Sequence, residues 1–326
     1  MENNPVHKLE LTRVAIDDVD RFSEWVKGVG WDVKPIQLSA GANEISYDHF
    51  IFPEMLVAHW KSVQSMWNAS AIPQGFVVLV ITRAKLPAIW NGSHFPPNLM
   101  AILRPGIEHW DVLPAGWDAY EIMIAEELIH RTELFPPDCL GGQSMVTRAF
   151  LPLAEPVTGR FLQGMDAFFL QGRGTSRSPL AAVQESRFFE FIIHGLMQVV
   201  DAGLQARGSF KLRTTRRPDI VKKAKDFVCS HLDESISTDD VAQALGVSNR
   251  VLDYAFRDSL GASPYQYILT EKLHAVRRLL KSSDVSVTEA CVAHGFNTPS
   301  RFTRHYKRLF AELPSATRYA GRNRAA

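Results

Sequence analysis

Arg301, Arg304, Lys307 and Arg308 put four basic side chains into eight residues, and the run Pro299–Phe310 contains no carboxylate. At helical spacing no acid lies three or four residues away to pair with them, so the face calls for an external anion rather than an internal partner. An arginine can hold a guanine by two bonds or a phosphate by its fork, and a lysine can hold a phosphate as a point charge. Thr298, Ser300 and His305 add donors beside the cluster. A second and less basic group, Asn249, Arg250, Asp253, Tyr254 and Arg257, has a matching vocabulary. Asparagine serves adenine, arginine serves guanine or phosphate, and aspartate accepts from the cytosine amino group. A solvated charged helix face is the competing reading for either group taken alone.

Both groups sit where a helix-turn-helix would present them. In residues 237–258, Ser237 or Thr238 caps a short helix, with Asp239 and Asp240 at its positive end and Val241, Ala242 and Leu245 along one face. Gly246 follows where a tight turn needs a left-handed backbone, Ser248 caps the next helix, and Leu252 and Phe256 form its buried stripe. Residues 286–309 repeat the arrangement through Ser286, Val287, Ala290, Cys291, Gly295, Phe296, Phe302 and Tyr306, with Asn297 or Thr298 as second cap. Between the copies, Ser263-Pro264 opens a helix carrying Tyr265, Ile268, Leu269, Leu273, Val276, Leu279 and Leu280. From about 264 to 281 it would be roughly 27 Å long, enough to hold two reading helices near one duplex turn apart.

These residues resemble the DNA-binding domain of the AraC/XylS family of bacterial transcription regulators over 216–320. The resemblance rests on Leu245–Ser248, Gly261-x-Ser263-Pro264-x-x-Tyr267, Gly295-Phe296, Ser300-x-Phe302-x-Arg304, Lys307-Arg308-x-Phe310 and Pro314-Ser315. Cys291, Ala311 and Leu313 depart from its usual alanine, glycine and threonine or serine, which should alter local packing only. The resemblance implies base-reading positions at Arg250, Asp253 and Tyr254 and at Ser300, Arg301 and Arg304. It further implies double-stranded promoter DNA and RNA polymerase as partners, a homodimer, and a cupin-like effector-binding amino-terminal half.

Charge divides the chain in the same place. The 326 residues carry a net +1, yet 211–326 hold 20 Lys+Arg against 12 Asp+Glu, +8, which leaves −7 for 1–210. Counterion release favours the basic third on DNA, whereas the acidic part would be repelled. Three cysteines without C-x-x-C spacing argue against a disulfide framework or a zinc knuckle. With neither a basic-then-apolar leader nor an apolar run of transmembrane length, the expectation is a cytoplasmic protein that does not engage a membrane.

The expected fold is therefore multidomain α+β. Residues 1–206 form an effector-binding and dimerisation domain, with a cupin-like β-sandwich or barrel at 35–150 and helices at 156–206. A linker at 207–215 leads to an all-α tandem helix-turn-helix domain at 216–326. Strands are expected at 44–51, 56–62, 76–81, 88–90, 99–103 and 120–125, separated by turns at Pro73-Gln74-Gly75, Asn91-Gly92-Ser93, Arg104-Pro105-Gly106 and Pro114-Ala115-Gly116. The apolar face of 179–206 would meet the barrel and a second chain.

All seven tryptophans fall in this amino-terminal half, and Trp60, Trp90 and Trp110, in or beside expected strands, are the candidates for an aromatic effector pocket. Arg173 and Arg177 flank a Gly/Ser/Thr loop that could hold an anion. His94, Glu108 and His109 invite a metal reading, but too few histidines stand at ligand spacing, so neither metal nor cofactor is expected. No G-x-S-x-G elbow or phosphate-cradling loop is present, and Cys139 lacks a strand-turn-helix setting, so no catalytic residue is assigned and the chain is read as a non-enzyme. A protein partner in place of a small effector stays open at this level.

Overall fold

Runs such as 76–81 and Leu99–Leu103 are apolar at every position, which is the pattern of strands covered on both faces. The computed structural model, which describes residues 9–136, 150–174, 182–206 and 218–325, bears this out. A seven-stranded antiparallel sheet has the order β1 (Ala15–Ile16), β3 (Ile45–Phe52), β4 (Met55–Ser62), β11 (Trp117–Ala125), β6 (Phe76–Thr82), β9 (Leu99–Leu103), β12 (Phe150–Pro152). A five-stranded antiparallel sheet has the order β2 (Asp32–Gln37), β5 (Met66–Ala71), β10 (Glu108–Leu113), β7 (Ala88–Trp90), β8 (Ser93–Phe95). The hairpin between β7 and β8 turns at Asn91 and Gly92, both with positive φ, the pairing that an I′ turn requires.

The molecule is built in layers. On one face of the larger sheet lie α3 (Val157–Gly174) and α4 (Ala182–Ala206), which bury Phe161, Met165, Phe169, Phe188, Ile192 and Leu196 against Phe50, Val57, Leu79 and Tyr120. Its other face, with α1 (Val19–Gly28), meets the inner face of the smaller sheet around Phe22, Tyr47, Trp60, Val80 and Trp90. A short α2 (Glu126–Thr132) follows β11. Of the stripe of α4 expected to meet both the barrel and a second chain, Phe188, Ile192, Leu196, Val199 and Val200 lie in the core on the larger sheet, and Phe191 packs on Phe161 and Phe168 of α3.

The outer face of the smaller sheet is apolar too, because the carboxy-terminal helices cover it. These are α5 (Pro218–Ser230), α6 (Thr238–Ala244), α7 (Asn249–Leu260), α8 (Pro264–Ser282), α9 (Val287–Ala293), α10 (Pro299–Phe310) and α11 (Pro314–Ala325). Trp67, Ile89, Trp110 and Val112 pack there on Val221, Ala224, Val228, Leu252 and Phe256. The second helix-turn-helix has its own core of Leu273, Val276, Ala290, Phe302 and Tyr306.

Polar contacts close the boundary between the two parts. Asp18 caps α1 through Asp20 N at 2.9 Å and also meets Arg277 of α8 at 3.1 Å and Lys281. His274 sits at 3.1 Å from Gln37 O, and the Gln37 amide donates to Leu309 O at 2.7 Å. Gly41 N donates to Arg308 O and Leu309 O, so the amino-terminal domain helps to cap the carboxy-terminal end of α10. Residues 207–215, expected as a linker, lie outside the described residues.

Candidate nucleic-acid interface and inter-sheet cavity

Local chemistry accounts for the two helix-turn-helix units. Ser237 caps α6 in a capping box with Asp240, Ser263 caps α8 with Gln266 and Pro264 behind it, and Ser286 caps α9 with Glu289. Gly246 and Gly295 turn at φ of 64° and 71°. A Cβ on Gly295 would stand 2.9 Å from Glu234 O, so this glycine also permits the two units to approach each other. Lys272 ties them further, donating to Glu234 O and to His294 O. Thr298 stands at the cap of α10 without a side-chain bond to the helix. The joining helix α8 runs 19 residues, about 28 Å.

The packing against the amino-terminal domain leaves most of the expected reading side chains exposed, although Arg308 and His305 border Leu38, Ser39 and Ala40 of that domain. Asn249, Arg250, Tyr254, Arg257, Thr298, Ser300, Arg301, Arg304, Lys307 and Arg308 are exposed, while Asp253 and His305 are half-buried. Their internal partners differ between the two helices. On α7, Asn249 bonds Asp239, Arg250 lies over the Tyr254 ring, and Arg257 pairs with Asp253 at 2.8 Å. On α10, Arg304, Lys307 and Arg308 form no ion pair among the described residues, and Arg301 only reaches the Tyr265 hydroxyl at 3.0 Å. Burial, together with the charges of Arg301, Arg304 and Arg308, lowers the pKa of His305. An uncompensated positive face of this kind is relieved by bound phosphate.

The effector candidates separate. Trp60 and Trp90 line a cavity of about 20 Å³ between the sheets, joined by Phe22, Trp31, Asn68, Asp111 and Glu121. Trp110 points the other way, onto the helix-turn-helix side, because it is one residue out of register with the inward Asp111. Arg173 is bound to Asp48 at 2.7 Å and so joins α3 to β3, away from the cavity, and Arg177 lies outside the described residues, as does Cys139. His109 bonds Arg104 O at 3.0 Å, and His94 stands 3.8 Å from Asp258.

Asp111 and Glu121 were not singled out from the sequence. Both are fully enclosed, and burial pushes their carboxyls up to about 7 and about 8. The signal was present: each is an acid with apolar neighbours on both sides, Trp110 and Val112 around Asp111 and Tyr120 and Ile122 around Glu121, in a segment of strand pattern, and a buried acid must be partnered or functional.

Comparison with known proteins agrees with the carboxy-terminal geometry. A family model described as a helix-turn-helix domain matches residues 241–320. The HTH-type transcriptional regulator CdhR of Pseudomonas aeruginosa is 35% identical over 88 residues, 27% of this chain and 26% of that protein. The XylDLEGF operon transcriptional activator 3 of Pseudomonas putida is 33% identical over 99 residues, 29% of this chain and 30% of that one. The chain thus matches less than a third of the length of these curated relatives. The solved DNA-binding domain of AdpA, in complex with a target DNA, is 31% identical over 32% of this chain and 96% of that chain, with a TM-score of 0.31. Among the described residues no helix is long and apolar enough to cross a membrane. With its paired capped turns, joining helix and matched sequence, the carboxy-terminal third of this chain is a helix-turn-helix domain of the AraC/XylS type.

Proposed function

We propose that this protein is a sequence-specific DNA-binding transcription regulator, active in the cytoplasm, whose affinity for its operator responds to a small molecule held between the two sheets of the amino-terminal sandwich. The observation that carries the DNA-binding half is the exposed basic face of α10, whose Arg304, Lys307 and Arg308 have no ion-pair partner among the described residues. Regulators among the matched relatives support it.

The effector half rests on the two faces of the smaller sheet. In β5 and β10, Asn68 and Asp111 point into the cavity, while their neighbours Trp67 and Val112 pack on α5 and α7. A ligand that shifts either strand therefore shifts the surface on which the first helix-turn-helix rests. Coupling of this kind requires the ligand to bind one arrangement more tightly than the other. Two chains on adjacent half-sites and contact with RNA polymerase belong to the same reading.

Selection of bound sequences from a random duplex library with the full chain tests the reading. A single recovered motif with two half-sites about one helical turn apart is the expected result. Arg301→Ala should then weaken the selected site by about 1–3 kcal/mol if it reads a base. Equal loss on random duplex would reassign it to phosphate, and recovery of no motif would sink sequence-specific regulation.

A further inference from the structure

The gap between the sheets holds chemistry that a sandwich core does not need. Asp111 and Glu121 line one small cavity, and no arginine, lysine or histidine lines it with them. The cation felt by Asp111, Lys225, lies across the sheet against the ring of Trp67. Glu121 is instead destabilised by its burial and by Asp111, and no cation offsets either.

A second observation is independent of the acids. The indole N–H groups of Trp31, Trp60 and Trp90 line the same cavity, are more than nine-tenths buried, and have no hydrogen-bond partner. The Asn68 Oδ1 atom is in the same condition, although its amide nitrogen donates to Asp111 at 2.7 Å. Buried polar groups are nearly always satisfied, so these four and the equally unsatisfied Tyr47 hydroxyl around a single void mark a place where a bound molecule supplies the partners. Phe22 stacks on Trp60 at 5.7 Å between ring centres, giving the void an aromatic wall.

We propose that this cavity takes a small organic cation of the ammonium type that also carries an oxygen acceptor. Its N–H groups go to Asp111, Glu121 and Asn68 Oδ1, its oxygen accepts from the indoles, and its carbon skeleton lies against the rings, where aromatic faces attract a cation. A neutral polyol would supply no counter-charge once the two carboxyls ionise. The void is about 20 Å³, little more than one water occupies, so the ligand must part the sheets as it enters. That displacement is what the effector reading needs, and the ligand class rests on that reading for its regulatory meaning.

Thermal melting and titration calorimetry of the full chain at pH 8 test the assignment, with ethanolamine and glycinamide set against their neutral counterparts ethylene glycol and glycolamide. The expected result is a saturable rise in melting temperature of several degrees with the amines and none with the neutral pair. Glu121→Gln and Asp111→Asn, each checked for folding by circular dichroism, should lose the amine response. Equal shifts from the neutral molecules, amine binding that persists in both variants, or calorimetric silence of the amines on the unaltered chain would each overturn the inference, and the last also decides the matter if the variants do not fold. Operator binding measured in parallel separates the two claims. Amine binding without any change in DNA affinity would sink the effector reading and leave the site. DNA affinity responsive only to a neutral metabolite would do the reverse.

Discussion

Asp18→Asn is the most informative single change, because Asp18 performs two separable tasks. Its carboxylate caps α1 through the backbone N–H groups of Asp20 and Arg21, and it also meets Arg277 at 3.1 Å and Lys281 across the domain boundary. Lys281 and Arg277 hold its carboxyl far below the usual carboxylate range despite burial. Asparagine caps as well as aspartate does, so the substitution removes the charge and keeps the cap. Only 10% of the Arg277 side chain is exposed, and breaking such a pair from one side costs about 3–5 kcal/mol when the remaining charge is stranded. Here Arg277 retains Glu312 at 2.8 Å and Lys281 retains Asp20 at 2.7 Å, which reduces the expected loss to roughly 2 kcal/mol. Urea unfolding followed by a probe in each domain is the assay. The unaltered chain should show coincident transitions, and Asp18→Asn should lower the midpoint and separate them. Asp18→Ala should cost about 1 kcal/mol more, the worth of the lost cap. The effect should change little with salt, because the pair is screened from solvent. A loss below about 0.5 kcal/mol, with transitions still coincident, would refute the claim that this cluster joins the domains.

The raised carboxyl of Glu121 makes its contribution fully present below about pH 4.5 and lost as pH rises through about 8, so urea midpoints should fall across that window. Glu121→Gln should flatten the slope and gain on the order of 3 kcal/mol at pH 9 relative to the unaltered chain. Buried His274, facing Asp20, Gln37, Arg277, Arg278 and Phe310, has its pKa lowered to about 4, chiefly by desolvation. Its contribution is present above pH 6.5 and is lost as pH falls through 4, so small-angle scattering should report domain separation between pH 5 and 4, with His274→Gln moving the threshold. Ala311 ends α10 in the left-handed region at φ 58°, where glycine is unstrained. Ala311→Gly should therefore stabilise the second helix-turn-helix by about 1 kcal/mol, read as a melting rise of roughly 2 °C.

The helix-turn-helix pair was legible because its signals are local. Ser237, Ser263-Pro264 and Ser286 act on N–H groups two or three residues away, and Gly246 and Gly295 satisfy a φ that the next residue already demands. The spacing of Arg301, Arg304 and Arg308 on one helix face follows from 3.6 residues per turn, with no tertiary information needed. Six strands, from β3 to β11, were readable to within a few residues for the same reason. By contrast β2, β5 and β10 escaped. In β5 and β10 the inward Asn68, Ser70 and Asp111 and the outward Trp67 and Trp110 reverse the usual alternation, since the outer face of the smaller sheet is covered by another domain, and in β2 the polar Asp32, Lys34 and Gln37 interrupt the apolar residues.

Which tryptophans meet depends on strand register and packing across the two sheets. Trp60 and Trp90 come to the cavity and Trp110 leaves it by a difference of one register position, while Trp31 enters from the loop after α1. The contact between the domains is equally invisible in sequence, because Asp18 and Arg277 are 259 residues apart and each looks like a solvated charge until the fold removes the water. The capped helices, the turns and the basic face follow from local sequence, because each depends on neighbours within a few residues. The cavity, its enclosed acids and the clasp between the domains were decided by long-range packing, because burial is a property of what the rest of the chain places around a residue.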